Sequence, residues 1–325
     1  MRVAETDIDS FEPLQWAAQS FTVDLVTAEV TSALNDASIP SILLKGPTIA
    51  TWLYSGDRPR PYADTDLLVQ KSDWSKTMKV MKSLDFFDGL GSMAHPRMEA
   101  GDGYPWGRHS DSAEVDLHYT LFGVGVDPAA LWATFAESAI RERIGGIELS
   151  MPSHPARLLH IALHAVQHGG EAHVQRKPIR DLEQALAKAG RPLWVEARDL
   201  AERLEADEVF AEGLCLVPAG VELAAEIGVK RGHSPAATLR MAEIPMAEGF
   251  KELAETRGLR KKVALLAREL FPNREFMLWW SPLARRGRLG LTAAYAWRPF
   301  LLLYRAIPGY LAWRRAERPR RARSS

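Results

Sequence analysis

The sequence predicts an α+β protein, and three observations carry that prediction. Short apolar strand candidates alternate with helical patterns as far as Pro152. Beyond Pro152 the apolar spacing is helical only. From Ala284 onward, aromatic and aliphatic stretches alternate with arginine, as in a basic amphipathic segment. A chain of 325 residues suits about two domains. The expected bounds are residues 1–152, a helical domain at 153–272 and an arginine-rich end at 273–325.

Taken in order, Phe21, Leu25, Val26, Val30 and Leu34 fall at helical spacing and predict a helix over 21–35. Ser41 to Lys45 has the length and content of a short buried strand. Gly46 ends it, and Pro47 suits the first position of a helix running to about Tyr54. The Gly and Pro content of 55–61 predicts a loop. Asp64 to Val69 is a second strand, and Ser72 is placed to cap a helix over 73–84. The stretch 89–107 reads mostly as loop with one weak strand. Ala113 to Tyr119 alternates as a third strand, and 141–151 reads as a hairpin turning at Gly145-Gly146. Ser153 is placed to cap a long helix, followed by helices near 178–189, 193–205, 209–216, 221–227 and 251–271, the last weakened by Gly258.

A composition of 46% hydrophobic and 25% charged residues is that of a globular protein with a sizeable core. One cysteine, Cys215, leaves no internal disulfide and no cysteine-rich zinc site. With an acidic N-terminus that lacks an apolar run, the expected location is the cytoplasm, with membrane association as an option. The formal net charge of zero hides an asymmetry. Residues 284–325 carry eleven arginines against one acid, Glu317, so the remainder has a matching excess of ten acids. That pattern marks an interaction segment; the leading reading is a helix packed on the body followed by a disordered basic end, with membrane-surface or partner docking as the alternative. Arg298 and Arg305 interrupt its most apolar part, and no charge-free run is long enough to span a bilayer.

Asp64 and Asp66 carry the chemistry. Side chains two apart on a strand share a face. Neighbouring carboxylates repel one another, and a divalent cation relieves the repulsion. Asp116 lies in a separate strand between apolar Val115 and Leu117. If the two strands are neighbours, three carboxylates converge, which suits two-metal phosphoryl or nucleotidyl transfer. The strand–Gly46–helix turn and the basic Arg58, Arg60 and Tyr62 stretch favour a bound triphosphate.

The segments LLKGPTIATWLYSGDRPRPYADTDLLV and EVDLHYTL resemble the poorly characterised bacterial nucleotidyltransferases of the polymerase-beta-like superfamily. LLHIALHAVQHG and the later RDL resemble the helical region of that family. The resemblance covers roughly residues 20–190. It implies a small mixed sheet flanked by helices, followed by a helical domain. It implies that Asp64 and Asp66 bind both of two Mg²⁺ (or Mn²⁺) ions, and that Asp116 binds the catalytic one and helps deprotonate an incoming hydroxyl. The implied reaction moves a nucleoside monophosphate from an NTP, ATP being the expected one, to a hydroxyl, with release of pyrophosphate. One departure stands out: the superfamily has Gly-Ser after its first strand, and here Gly46 is followed by Pro47, with Thr48 as a substitute hydroxyl.

The expected nucleotide-binding residues are Lys45, Gly46, Thr48, Arg60, Tyr62, His118 and His168. Lys45 and Arg60 offer positive charge, and His118 shares a strand face with Asp116. His160, His164 and His168 fall on one helical face. The outer two lie about 12 Å apart along the axis, too far for all three to hold one zinc ion well. The stripe is therefore read as facing a cleft, with His168 nearest the substrate, or as packing against the first domain, and Arg180 and Asp181 as helping to hold the domains together. The acceptor is expected to be a peptide, a protein or a small molecule rather than a long nucleic acid, because the catalytic half is not basic. The competing reading is a non-catalytic nucleotide- or partner-binding protein on the same fold.

Overall fold

The centre of the fold is a strand with both faces covered. In the computed structural model, which describes residues 13–54, 60–89, 102–168, 176–229, 249–250, 253–254, 256 and 258–323, β2 (Thr65–Val69) is buried at every position. It lies in a five-stranded mixed sheet between β1 (Ser41–Leu43) and β5 (Glu114–His118), with β4 (Asp102–Gly107) and β3 (Phe87–Asp88) beyond β5. β1 runs antiparallel to β2, β5 runs parallel to it, and β3 runs antiparallel to β4. A strand covered on both faces reads as an unbroken apolar run. Here Leu67, Leu68 and Val69 supply one, and the aspartate among them is the exception that matters.

α1 (Pro13–Asp36) begins earlier than its spacing suggested and covers β2 with a stripe that keeps Val26, Val30 and Leu34 of the expected set. Val23, Val26, Val30 and Leu34 are buried, while Phe21 and Leu25 are exposed. Thr27 on that stripe pairs its hydroxyl with Thr65 at 2.7 Å, tying the helix to β2. α2 (Pro47–Leu53) follows β1 directly. α3 (Trp74–Ser83) buries Thr77 and Met81. Ser72 sits in a 3-10 turn over Lys71–Asp73 and bonds the Gln70 side chain, so it does not cap α3. α4 (Pro128–Glu137) had no counterpart in the sequence reading. Its signals were present: the Asp127 carboxylate accepts from the backbone N–H of Ala129 and Ala130, and Pro128 opens the helix.

The hairpin β6 (Ile140–Ile144) and β7 (Ile147–Met151) turns at Gly145 and Gly146 as expected. Both have positive φ, the requirement of a tight two-residue hairpin turn. A Cβ on Gly145 would lie 2.5 Å from the Asp24 carbonyl oxygen, so α1 rests against the turn. α5 (His154–His168) then begins. Arg157, fully buried near its start, donates from Nε to Pro152 O (2.8 Å) and from Nη1 to Thr48 O (2.9 Å). Its Nη2 meets the Glu142 carboxylate at 2.9 Å. One guanidinium thus holds α2, the hairpin and the start of α5 together.

The chain divides into two compact units, the first from residues 1–89, 105–120 and 126–158 and the second from 90–104, 121–125 and 159–325. The division falls within α5. In the second unit, α6 (Arg176–Lys188), α7 (Arg191–Arg203), α8 (Asp207–Leu214) and α9 (Pro218–Glu226) form a helical array, with Trp194 of α7 against Phe210 of α8. The helix expected over 251–271 is α10 (Leu259–Leu270), starting just after Gly258 at φ 92°. α11 (Arg274–Trp280) is capped by the Asn273 side chain, and α12 (Gly287–Arg323) runs for 37 residues. Met277, Ala284 and Ala294 form a small core between the last two helices. Arg298 is buried there, with its guanidinium 4.6 Å from the Trp280 ring centroid and its Nε donating to Glu269 O. Its charge is accommodated by an aromatic face and a carbonyl. No helix among the described residues is long and apolar enough to cross a membrane.

Candidate active site

The parallel register of β2 with β5 builds the site. Asp66 stands opposite Asp116, and Leu68 stands opposite His118. Asp64 precedes Asp66 by two and so shares its face. The carboxylate oxygens of the three aspartates lie within 4.8 Å of one another. Asp66 is 1% exposed, while Asp64 and Asp116 are partly open. The oxygen-only donor set fits a hard divalent cation such as Mg²⁺.

Two further groups converge on Asp66. Its Oδ1 lies 2.8 Å from the Lys45 Nζ and 3.0 Å from the His118 Nε2. A carboxylate only accepts, so both nitrogens donate. Burial works against ionisation of Asp66, but the Lys45 ammonium and the His118 bond overcome it and hold the carboxyl well below the usual carboxylate range. Burial likewise works against charge on Lys45, and the Asp66 and Asp64 carboxylates reverse the effect, so its pKa is raised. Asp116 goes the other way. Burial first, then the Asp66 charge beside it, push its carboxyl from 3.8 up to about 6.

That shift predicts a pH-dependent response to metal. The folded protein resists ionising Asp116, so the stabilisation from its neutral form is present below pH 3.8 and is lost as pH rises through about 6. A divalent cation bound there would offset the loss. Mg²⁺ or Mn²⁺ is therefore expected to raise Tm more at pH 7.5 than at pH 5, where it must displace a proton. Asp116→Asn should raise the Tm of the metal-free protein at pH 7.5 by a few degrees, roughly 2–5 °C, and abolish the metal response. Equal metal-induced shifts at both pH values in thermal melts would count against this assignment.

The remaining candidate residues have diverse placements. Gly46 turns the chain out of β1 with φ 71°, in the left-handed region open to glycine. The Tyr62 ring lies under that turn, 3.4 Å from where a Cβ would stand, and its hydroxyl donates to Asp24 Oδ1 at 2.8 Å. Tyr62 thus supports the turn from α1. The Thr48 hydroxyl is buried and donates to Leu44 O at 2.9 Å, a bond within the turn and α2. Pro47, at the first position of α2, has no N–H to offer a phosphate. Arg60 is buried just before Tyr62, and Arg58 lies outside the described residues. His168 ends α5 in the second unit, its ring 4.5 Å from that of His164. Arg157 escaped the sequence reading. Its signal was a lone arginine at the start of the otherwise apolar run ARLLHIAL.

Fold and site define a class: an α+β protein whose central parallel strands present an acidic centre suited to divalent cations. The chain belongs to the family described as uncharacterised nucleotidyltransferases, whose model matches residues 14–219. Among solved structures it is similar to the solution structure of the antibiotic-resistance factor ANT(2″)-Ia, with TM-score 0.40 and 14% identity over 58% of this chain and 95% of that one. It is also similar to an antigenic nucleotidyltransferase-like protein from Paracoccidioides brasiliensis, with TM-score 0.37 and 18% identity over 66% of this chain and 94% of that one. No curated protein sequence matches it.

Proposed function

We propose that the protein is a metal-dependent nucleotidyltransferase that moves a nucleoside monophosphate from an NTP, ATP being the leading candidate, to a hydroxyl acceptor. The observation that carries this reading is the register pairing Asp66 with Asp116, with Asp64 on the same face. In this reading the acceptor oxygen bonds to the α-phosphorus, the bond from that phosphorus to the bridging oxygen breaks, and pyrophosphate leaves. Asp64, Asp66 and Asp116 would hold two Mg²⁺ or Mn²⁺ ions, which supply charge stabilisation for the attacking and leaving oxygens. Lys45 and His118 keep Asp66 ionised and oriented. Asp116 is the group proposed to take the acceptor's proton, since a carboxyl near pH 6 is suited to it. Arg60 is proposed to face the triphosphate. His168 is proposed as a further nucleotide-binding residue.

Outside 284–325 the chain is acidic, which favours a small molecule, peptide or protein as acceptor over a long nucleic acid. This function places no catalytic demand on the arginine-rich segment. The test is incubation of the full chain with labelled ATP, Mg²⁺ or Mn²⁺ and candidate acceptors, with pyrophosphate and nucleotide-sized mass additions as readouts. Release of pyrophosphate with labelling of an acceptor is expected. Nucleotide binding that ignores divalent ions and yields no turnover would favour the second reading, a non-catalytic nucleotide-binding protein. Pro47 at the turn and the commitment of the Thr48 hydroxyl to Leu44 support that alternative.

A further inference from the structure

α12 is apolar on two sides. One side, with Ala294 and the aromatic-clamped Arg298, packs against α10 and α11. The other carries Trp297, Phe300, Tyr304, Ile307 and Leu311, spaced three, four, three and four residues apart. That spacing lines one helical face over roughly 20 Å. Phe300 is 65% exposed, Tyr304 79% and Ile307 68%. Single exposed apolar residues are ordinary, but a continuous stripe of this kind marks a binding surface. α10 carries exposed apolar residues as well: Leu259, Val263 and Leu266 stand at helical spacing. Where the two helices meet, a cavity of about 250 Å³ opens between Leu265, Leu266 and Leu270 on one side and Leu302, Leu303 and Ala306 on the other.

Charge selects the occupant. Arg305 and Arg314 on this helix are exposed, and residues 284–325 hold eleven arginines against a single acid. A second copy docked on the same face would set those arginines against their equals. A surface that combines negative charge with an apolar interior meets both demands, and tryptophan and tyrosine are the side chains that favour its boundary. No described helix is suited to crossing such a surface, so the helix would lie along it.

We infer that α10 and α12 dock the protein on an anionic phospholipid bilayer, with the Trp297–Leu311 stripe in the headgroup region and the cavity open to acyl chains. Docking is separate from nucleotide chemistry, and it is measured without nucleotide. The full chain is incubated with phosphatidylcholine vesicles with and without phosphatidylglycerol and then sedimented. Retention on the anionic vesicles only, weakening as salt is raised, is the expected result. Phe300→Glu with Ile307→Glu should reduce retention by at least about tenfold. Arg305→Glu with Arg314→Glu changes only exposed charges and should also release the protein, which covers the case that the first pair misfolds. Failure to sediment with anionic vesicles, or equal retention on both kinds, would overturn the inference. So would a wild-type dimer, seen by light scattering, that the Phe300/Ile307 pair dissociates while vesicle binding is absent.

Discussion

On the proposed function, Asp66→Asn is expected to lower pyrophosphate release by a factor of about 10³ or more, equivalent to roughly 4 kcal/mol of barrier. Asp66 is the hub of the site. It faces Asp116 across the ladder, and its Oδ1 receives both Lys45 and His118. Removing its charge would take a ligand from the proposed cation and leave a lysine beside an uncharged partner. The variant is therefore expected to lose stability as well, since breaking one side of a buried ion pair costs about 3–5 kcal/mol when the partner is taken away outright and less for the isosteric amide. Asp64→Asn separates the two effects. Asp64 is partly open, and the Lys45 and His118 bonds go to Asp66, so its loss should cost turnover with little change in Tm. Steady-state assays and melts on both variants decide the matter; full activity in Asp66→Asn would remove the acidic centre from the chemistry.

Arg157→Ala has the largest expected effect on stability. The guanidinium is fully buried and its donors reach Pro152 O, Thr48 O and Glu142, with the Trp52 ring 5.9 Å away. Truncation leaves two buried carbonyls without their donor and opens a void where α2, β7 and α5 meet. A cost of about 3–5 kcal/mol is expected, with a fall in Tm on the order of 10 °C. Arg157→Lys should recover only part of it, because an ammonium cannot reach three separated acceptors in the plane of a guanidinium. Denaturant titrations check this, and a loss below about 1 kcal/mol would show that water or neighbouring side chains take over the arginine's bonds. Because Thr48 O belongs to α2, which follows the Gly46 turn, the surviving fraction should also bind NTP more weakly.

Much of the first unit was legible in the sequence because its signals are local. Glycine and proline marked the turns at Gly46 and Gly145-Gly146, and alternation marked β5. The Asp64/Asp66 spacing told that two carboxylates share a face, since period two is a property of any strand. Other elements were hidden by equally local facts. The exposed Phe21 and Leu25 lie on α1 at the same spacing as buried residues, and helical periodicity alone does not tell which side meets the sheet. α4 is short, and its Asp-Pro start lies in a stretch that otherwise reads as irregular. Asp24, which receives the Tyr62 hydroxyl, is 38 residues from it and had no sequence signal.

The sequence by itself determined the parts of the site: two aspartates on one strand, a third between apolar neighbours on another, and a glycine turn before them. It determined as well that residues 284–325 carry an excess of ten positive charges, which the rest of the chain balances. Only the tertiary structure decided that β2 and β5, about 50 residues apart, run parallel in the register that sets Asp66 beside Asp116. It also decided that Lys45 and His118 meet on Asp66, that Thr48 and Tyr62 support the turn, and that α12 leaves one apolar face in solvent. Strand register and helix packing depend on which faces bury together across the whole domain, a long-range choice that spacing along one segment does not encode.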